Sequence, residues 1–347
     1  MNSRIIGVAV VICLMAGMLW AQRTPSPALL VLAKADQSLA IVDPGTLKVV
    51  ARVPAGPNPH EVVASPDGKL AYISNYGFGK YHTISVVDLV AQKALRPIDL
   101  GVLHGPHGLA FAGGELYFTA EINEVIGRYS PAIRKIDWIV GTGQMRTHMI
   151  EVSKSLRRIY TSNVNSGTIS IIEKMPPAPG QSHGPRGKRR PGTPPEVFWN
   201  ETVLHTGVGT EGFDVSGKQL WSAAARSGTV SIIDLDTKKI VQTLQAHLQG
   251  ANRLRFTPDG KYVFVSSLAG GNGGDLAIFD MHTRKLVKRM ALGHGAAGIL
   301  MQPDGSRAYV ACSPDNDVAV IDLRTLNVVG HIYPGRGPDG MAWAARK

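Results

Sequence analysis

Residues 297–332 read AGILMQPDGSRAYVACSPDNDVAVIDLRTLNVVGHI, and this stretch decides the fold. It contains an apolar strand, a Pro-Asp-Gly turn, a second apolar strand, a polar loop, a third strand that ends in Asp, and a fourth strand after another turn. Asp and Gly at such turns favour the tight or left-handed conformations that join antiparallel strands. No helical periodicity of comparable length competes with this pattern. The stretch therefore predicts a four-stranded antiparallel sheet.

The same unit recurs along the whole chain. Clear copies begin at His60 and Asn252, and degenerate copies begin at His107, His148 and Glu211. The spacing is close to one unit every ~42 residues, and four strands in such a unit are typical of a propeller blade. The repeat thus predicts an all-β propeller.

The number of blades follows from the first residues of the innermost strands. These residues are His60, His107, His148, Glu211, Asn252, Ala297 and Asp339. After Asp339 only GMAWAARK remains, whereas ALLVLAKAD, SLAIVD and LKVVARV near the N-terminus supply three strands without a first. We expect a single seven-bladed β-propeller over residues 22–347. Its last blade is closed by the N-terminal strands plus the C-terminal strand, which removes exposed sheet edges.

Short segments of the second and third strands resemble a known repeat. AYISN (71–75), IYTSN (159–163), YVFVSS (262–267) and AYVAC (308–312) resemble the YVTN repeat, as do the PDGK and PDGS turns and the strand ends VVDL, IIDL and VIDL. The chain is similar to YVTN-repeat β-propellers over essentially all of its mature length. It is more weakly similar to lactonase-like seven-bladed propellers and to the propeller halves of some periplasmic metalloenzymes. The resemblance implies an exported binding, surface or redox-associated protein and leaves the activity open.

The first residues, MNSRIIGVAVVICLMAGMLWAQ, have the layout of a secretory signal peptide, with Arg4, an apolar run and a small residue at Ala21. The rival interpretation is an uncleaved anchor, but the apolar run is shorter than the ~20 residues of a spanning helix. We therefore predict a signal peptide over 1–21, a periplasmic or secreted monomer, and no stable membrane span after cleavage. Cys312 is then the only cysteine, and the preceding AYVA predicts that it is buried.

A Pro/Gly-rich basic insertion, residues 174–200, interrupts the repeat with five cations and one anion. Its composition is that of an extended loop, either a contact for nucleic acid, an anionic surface or another acidic partner, or a tolerated surface insertion. Without the net +1 of the signal and the net +4 of the insertion, the total of +11 falls to +6. That balance is moderately basic, unlike the surface of a committed nucleic-acid binder.

The blade starts converge on the mouth of the central channel, which is where propellers build sites. The candidate ligand-binding residues are His60, His107, His148, Glu211, Asn252 and Asp339, with His104 and His294 on the same face. The loop NYGFGKYH (75–82) adds aromatic side chains at the rim. Imidazoles plus a carboxylate suit zinc, copper or iron, so the candidate divalent-metal set is His60, His107, His148 and Glu211. The rival interpretation is that these polar residues only line a water-filled channel. His104 and His294 either support the ligands by hydrogen bonds or are simply solvated.

Short catalytic motifs are absent from the sequence: it has no GxSxG elbow, no P-loop, no dinucleotide fingerprint placed between a strand and a helix, and no CxxCH haem attachment. The first functional interpretation is therefore a binding or scaffold protein that takes a protein or small-molecule ligand at the propeller face. The alternative is a metal-dependent enzyme at the channel mouth, an oxidoreductase, a lyase or a lactonase-like hydrolase. In the last case Glu211, Asn252 and Asp339 would be oxygen ligands for a hard cation such as calcium.

Overall fold

The computed structural model describes residues 23–175, 198–269 and 275–346. The described residues form seven antiparallel sheets arranged in a ring, which confirms the all-β seven-bladed propeller. Short 3₁₀ turns at Gly77–Gly79, Glu121–Asn123 and Ser313–Asp315 follow second strands of their blades. The predicted signal peptide and residues 176–197 of the predicted insertion lie outside the described residues.

The strands are numbered in chain order, and blade 1 is the sheet that contains His60. The first three strands are β1 (Ala28–Ala33), β2 (Ser38–Asp43) and β3 (Lys48–Pro54). Blade 1 contains β4 (Pro59–Ala64), β5 (Leu70–Asn75), β6 (Thr83–Asp88), β7 (Lys93–Ala94) and β8 (Ile98–Asp99). Blade 2 contains β9 (Pro106–Ala112), β10 (Glu115–Ala120), β11 (Val125–Ser130) and β12 (Lys135–Gly141). Blade 3 contains β13 (Thr147–Val152), β14 (Arg158–Asn163), β15 (Thr168–Met175) and β16 (Phe198–His205).

The second half of the ring follows the same order. Blade 4 contains β17 (Thr210–Ser216), β18 (Gln219–Ala224), β19 (Thr229–Asp234) and β20 (Lys239–Gln245). Blade 5 contains β21 (Ala251–Phe256), β22 (Tyr262–Ser267), β23 (Asp275–Asp280) and β24 (Leu286–Ala291). Blade 6 contains β25 (Ile299–Met301), β26 (Arg307–Cys312), β27 (Asp317–Asp322) and β28 (Asn327–Ile332), and the last strand is β29 (Pro338–Ala344).

Blade 7 is built from both ends of the described chain. β29 pairs antiparallel with β1, and the sheet runs in the order β29-β1-β2-β3. This confirms the predicted closure. Leu30, Leu32 and Ile41 of blade 7 pack against Val62 and Ile73 of blade 1 in one buried cluster. Each such aliphatic side chain contributes about 1.5–3 kcal/mol when it is buried, so face-to-face packing of adjacent sheets holds the ring closed.

The innermost strands share an irregularity at the end that faces the channel mouth. In β4 the partners are Pro59↔Asn75 and then Val62↔Ile73, so the innermost strand contains one extra residue. Equivalent bulges occur at the starts of β9, β13, β17, β21 and β29. A bulge redirects side chains out of the regular alternation. All of the predicted channel-mouth residues lie in these bulges, except the two flanking loop histidines, His104 and His294.

Two blades depart from the regular pattern. In blade 3, Lys174 pairs with Trp199 and Met175 pairs with Phe198, so both ends of the predicted 174–200 loop belong to strands. Amino-acid composition indicates that a loop is present, but it does not show at which residue the pairing of the flanking strands ends. In blade 1 the fourth strand is broken into β7 and β8, because Pro97 lacks the N–H that a continuous ladder requires.

Cys312 is buried at the end of β26, as predicted, and it is a free thiol. Burial raises its pKa to about 12, so the thiol is protonated and chemically quiet. Among the described residues, no helix has the length and apolar character needed to span a bilayer.

Candidate metal centre

The three predicted histidines form a row at the channel mouth. The ring centroids of His60 and His107 lie 5.2 Å apart, and those of His107 and His148 lie 3.7 Å apart. All three residues are buried, with 8%, 2% and 3% of their surface exposed. Imidazoles from three consecutive blades therefore meet at one place rather than spreading around a wide channel.

Close contact between blades 2 and 3 brings His107 and His148 together. Gly108 follows His107 in the bulge, and its Cα lies directly against the His148 main chain. The Thr119 hydroxyl accepts a hydrogen bond from Gly108 N (2.9 Å) and donates one to the His148 carbonyl oxygen (2.6 Å). The backbone of each blade is thus tied to the next one beside the histidines.

The carboxylate that accompanies the histidines is Glu121, not the predicted Glu211. Glu121 begins the short turn after β10 and is buried. His148 Nδ1 donates to Glu121 Oε1 in a very short hydrogen bond. Each of His107, His148 and Glu121 offers a ligand atom, and these atoms all lie within 4.8 Å of one another. Among the described residues, neither His60 nor Glu211 belongs to this compact group.

Tyr76 and Arg146 hold the second oxygen of Glu121. Tyr76 Oη donates to Oε2 at 2.6 Å, and Arg146 Nε donates to the same atom at 3.2 Å. Burial alone would raise the pKa of Glu121, but the adjacent His148 and the hydrogen bonds from His148 and Tyr76 outweigh it and lower the pKa. Glu121 is therefore an ionised carboxylate inside the protein, which is the form that binds a metal or orients an imidazole.

His60 and His107 are in the neutral state that binds metals. His60 Nδ1 contacts the Asn58 carbonyl oxygen at 3.1 Å, and burial lowers the pKa of His60 to about 4. Burial, with the neighbouring His148 and His60, lowers the pKa of His107 well below its ordinary value. Both rings are thus neutral at pH 7. The buried Nδ1 of His107 has no hydrogen-bond partner among the described residues, and such a vacant buried nitrogen costs about 1–3 kcal/mol unless a ligand satisfies it.

The acidic part of the mouth is occupied by cations and amides. Glu211 Oε2 accepts a hydrogen bond from Asn252 Nδ2 at 2.6 Å, and Asp339 Oδ2 lies 2.8 Å from Lys34 Nζ. Burial opposes ionisation of Asp339, but Lys34 and the buried Arg253 lower its pKa. Glu211 and Asp339 are poorly placed to surround a hard cation, because Lys34 and the buried Arg253 place positive charge beside them.

Arg253 crosses the channel. It lies on the innermost strand of blade 5, and its Nη2 forms a buried ion pair with Glu61 Oε1 on the innermost strand of blade 1. Blades 1 and 5 are not neighbours in the ring, so this contact can only span the central channel. Arg253 Nη1 also contacts Asn252 Oδ1 at 3.3 Å, which ties the guanidinium to the residues around the mouth.

The two flanking histidines lie outside the compact group. His104 is half-buried, and its ring contacts that of His82 at 5.1 Å. The His294 side chain is 82% exposed, and its Nδ1 lies 2.6 Å from Asp315 Oδ1. The hydrogen bond and charge of Asp315 raise the pKa of His294. Its role is a surface ion pair.

Sequence reasoning missed Glu121 and Arg146 and found Tyr76 only as a rim aromatic. The Tyr76 ring in fact lies against both His60 (4.9 Å) and His107 (5.0 Å), while Phe78 is exposed above the row. One signal was available: second strands end on the face where innermost strands begin. An acidic residue directly after the apolar strand ELYFTA is therefore brought to the mouth.

This architecture defines the chain as a seven-bladed β-propeller with a buried histidine–carboxylate cluster at its channel mouth. Residues 217–342 match the family described as the cytochrome D1 heme domain. That segment contains none of His60, His107, Glu121 and His148. A curated relative, eukaryotic translation initiation factor 3 subunit I of Candida glabrata, is 24% identical over 183 residues, which are 50% of this chain and 46% of that protein. The chain thus spans about half the length of this relative.

Solved structures show the same fold at low sequence identity. A protein of unknown function from Desulfotomaculum acetoxidans has a TM-score of 0.72 at 11% identity, over 93% of this chain and 100% of that one. A putative 6-phosphogluconolactonase from Bacteroides uniformis has a TM-score of 0.70 at 16% identity, over 92% and 99%. The dihydro-heme d1 dehydrogenase NirN, solved with DHE, has a TM-score of 0.61 at 15% identity, over 92% and 75%. At these identities the similarity concerns the fold, so function must be argued from the site.

Proposed function

We propose that this chain is an exported metal-binding propeller whose channel mouth holds a divalent transition metal through His107, His148 and Glu121. The observation that carries the proposal is the compact group itself, in which three potential ligand atoms lie within 4.8 Å of one another in a buried setting. Two imidazoles and one carboxylate suit zinc or iron(II), and such a set leaves coordination positions open. An open position is what a binding site for a small ligand, or a catalytic site, requires.

The surroundings of the group support this role. Tyr76 and Arg146 keep Glu121 ionised and in place, and residues that orient a ligand commonly change metal affinity by about 10–100-fold. The unpartnered Nδ1 of His107 supplies a further reason for a metal, since coordination would satisfy it. His60 adjoins His107 on the other side and is a neutral imidazole available to a metal ligand or to the metal itself.

The lactonase-like alternative has weaker support in the side chains. It needs Glu211, Asn252 and Asp339 as oxygen ligands for a hard cation. Glu211 is engaged with Asn252, Asp339 is paired with Lys34, and the buried Arg253 places a fixed positive charge among them. A cation there would have to displace Lys34 and tolerate Arg253, whereas His107, His148 and Glu121 present two imidazoles beside a carboxylate whose Oε2 pairs with Arg146.

Metal analysis of untagged protein tests the proposal. We expect close to one zinc or iron per chain after purification without added chelator, and loss of most of that metal in His107→Ala. His294→Ala is the matched control, because that histidine is exposed and ion-paired outside the group. Wild-type protein without stoichiometric metal, or equal loss in the His294 control, would refute the assignment.

Export is tested separately. Cleavage after Ala21 would give a mature protein that begins at Gln22. We expect N-terminal sequencing of protein from the periplasm or medium to start there. Protein that keeps Met1 and stays in the cytoplasmic fraction would contradict export without affecting the metal proposal.

A further inference from the structure

A groove lies between blades 1 and 2, away from the channel mouth. Its volume is about 890 Å³, which is within the usual range of small-molecule sites. Apolar side chains of both blades line it, among them Leu70 and Val86 of blade 1 and Ile136 of blade 2. It is therefore large and apolar enough to bury the body of a small organic molecule.

The groove exists because blade 1 lacks a continuous fourth strand. Its fourth strand is reduced to β7 and β8, of two residues each, on either side of Leu95, Arg96 and Pro97. In the other six blades the fourth strand has six to eight residues. The missing ladder opens the side of blade 1 toward blade 2.

Two tyrosine hydroxyls reach this groove without protein partners. Tyr72 is only 4% exposed, yet its hydroxyl has no hydrogen-bond partner among the described residues, and the same holds for Tyr129. Burial raises the pKa of Tyr72, and the neighbouring Tyr129 phenol adds to the rise. A tyrosine hydroxyl that lines the groove and has no protein acceptor is a donor available to a ligand.

The rim of the groove is cationic. Arg96, Arg134 and Lys135 are exposed along it, and the described part of the chain shows no ion pair or hydrogen bond for any of these side chains. The acidic residue in the lining, Asp99, is bonded to His82 at 3.0 Å. The rim thus carries three positive charges and one carboxylate, and that carboxylate already has a partner.

We propose that this groove binds an amphiphilic organic anion, a carboxylate with a single aliphatic chain. The aliphatic chain lies along the apolar lining, the carboxylate pairs with Arg96, Arg134 and Lys135, and the Tyr72 and Tyr129 hydroxyls donate to its oxygens. The positive charge of the rim favours an anionic ligand. The volume of the groove suits one aliphatic chain of a small molecule, whereas a lipid bilayer would present a broad surface that cannot enter it. This inference is independent of the metal centre.

Titration calorimetry with three probes of equal chain length tests the class of ligand. Dodecanoate, dodecanol and dodecyltrimethylammonium are titrated below their micelle concentrations into the full chain. We expect dodecanoate to bind at least about tenfold more tightly than dodecanol, since one charge-assisted contact is worth about that factor, and the cationic probe to bind least. Equal affinity for the three probes, or binding only to anionic vesicles, would overturn the proposal.

Substitutions in the groove locate the site. Arg96→Glu should weaken dodecanoate binding about tenfold or more and leave dodecanol unchanged, and Tyr72→Phe should weaken it several-fold while keeping the ring. Arg324→Glu, a charge reversal at an exposed position of blade 6, is the control. Dodecanoate binding that is equally affected by Arg324→Glu, or unaffected by both groove variants, would show that no site exists there.

Discussion

Gly108 stands directly against the main chain of His148: a Cβ built on Gly108 would lie 2.5 Å from the His148 carbonyl oxygen and 2.8 Å from Ile150 N. These distances are shorter than any normal contact, so the two innermost strands approach each other as closely as they do only because residue 108 has no side chain. The rings of His107 and His148 come within 3.7 Å as a consequence. The geometry of the candidate metal centre thus depends on one backbone contact between blades.

Gly108→Ala should therefore damage both stability and metal binding. The added methyl group must push β9 and β13 apart, and overpacking of this kind costs about 1–3 kcal/mol. Urea unfolding should show that loss, and metal titration should show weaker binding because His107 and His148 separate. Gly141→Ala is the control, because a Cβ there meets no atom within 4 Å. Full metal affinity in Gly108→Ala would refute the link between this contact and the site.

Glu121→Gln separates two roles for the carboxylate. If Glu121 only orients His148, metal affinity should fall by about 10–100-fold, as for other orienting residues. A larger loss is expected if it ligates the metal, and the short distances in the group favour that outcome. Competition with a chelator of known affinity measures the difference. Unchanged affinity would remove Glu121 from the centre altogether.

The raised pKa of Glu151 should make the protein less stable as pH rises toward 8. Glu151 lies three residues beyond His148, and burial, followed by the charge of Asp214, raises its pKa to about 8, although Arg255 opposes this. A carboxyl group whose pKa is raised by folding binds its proton more tightly in the native state. The free energy of unfolding should therefore fall as pH rises from about 4.5 to 8, by on the order of 1 kcal/mol per unit.

Urea midpoints at pH 5, 7 and 9 test this sign. Glu151→Gln, which keeps the size and stays neutral, should flatten the decline and should be more stable than the wild type at pH 9. A wild-type midpoint that rises from pH 5 to pH 7, with the same rise in Glu151→Gln, would contradict the assignment.

The ion pair that crosses the channel should be costly to break from one side. Arg253→Met leaves Glu61 buried without its partner, and such a loss costs about 3–5 kcal/mol. Removing both charges, in Arg253→Met with Glu61→Gln, should recover a large part of that stability because no unpaired charge remains. Urea unfolding of the wild type, both single variants and the double variant forms a complete cycle. Additive effects would show that the two side chains do not interact.

The repeat in the sequence by itself predicts the architecture. The blades are predicted by the seven recurring strand starts and the Asp-Gly turns, and the closure is predicted by the incomplete sets of strands near both ends. This is possible because strand periodicity and turn chemistry are local properties of the chain. The same spacing predicted which histidines face the channel, because every innermost strand begins at the same end of the ring. His60, His107 and His148 lie together for that reason.

What only the tertiary structure decided is which groups accompany those histidines. Glu211 lies at the same repeat position as the histidines, but its carboxylate accepts a hydrogen bond from Asn252. Glu121 lies in a turn of blade 2, and its carboxylate is hydrogen-bonded to His148 of blade 3. The pairing of Arg253 with Glu61 across the channel and the cationic groove beside the broken strand of blade 1 are of the same kind. Such contacts depend on the bulges, the rotation between adjacent blades and the close approach at Gly108. Local sequence brings Glu121 to the mouth and breaks the fourth strand of blade 1 at Pro97, but the packing of whole sheets decides which side chains then meet.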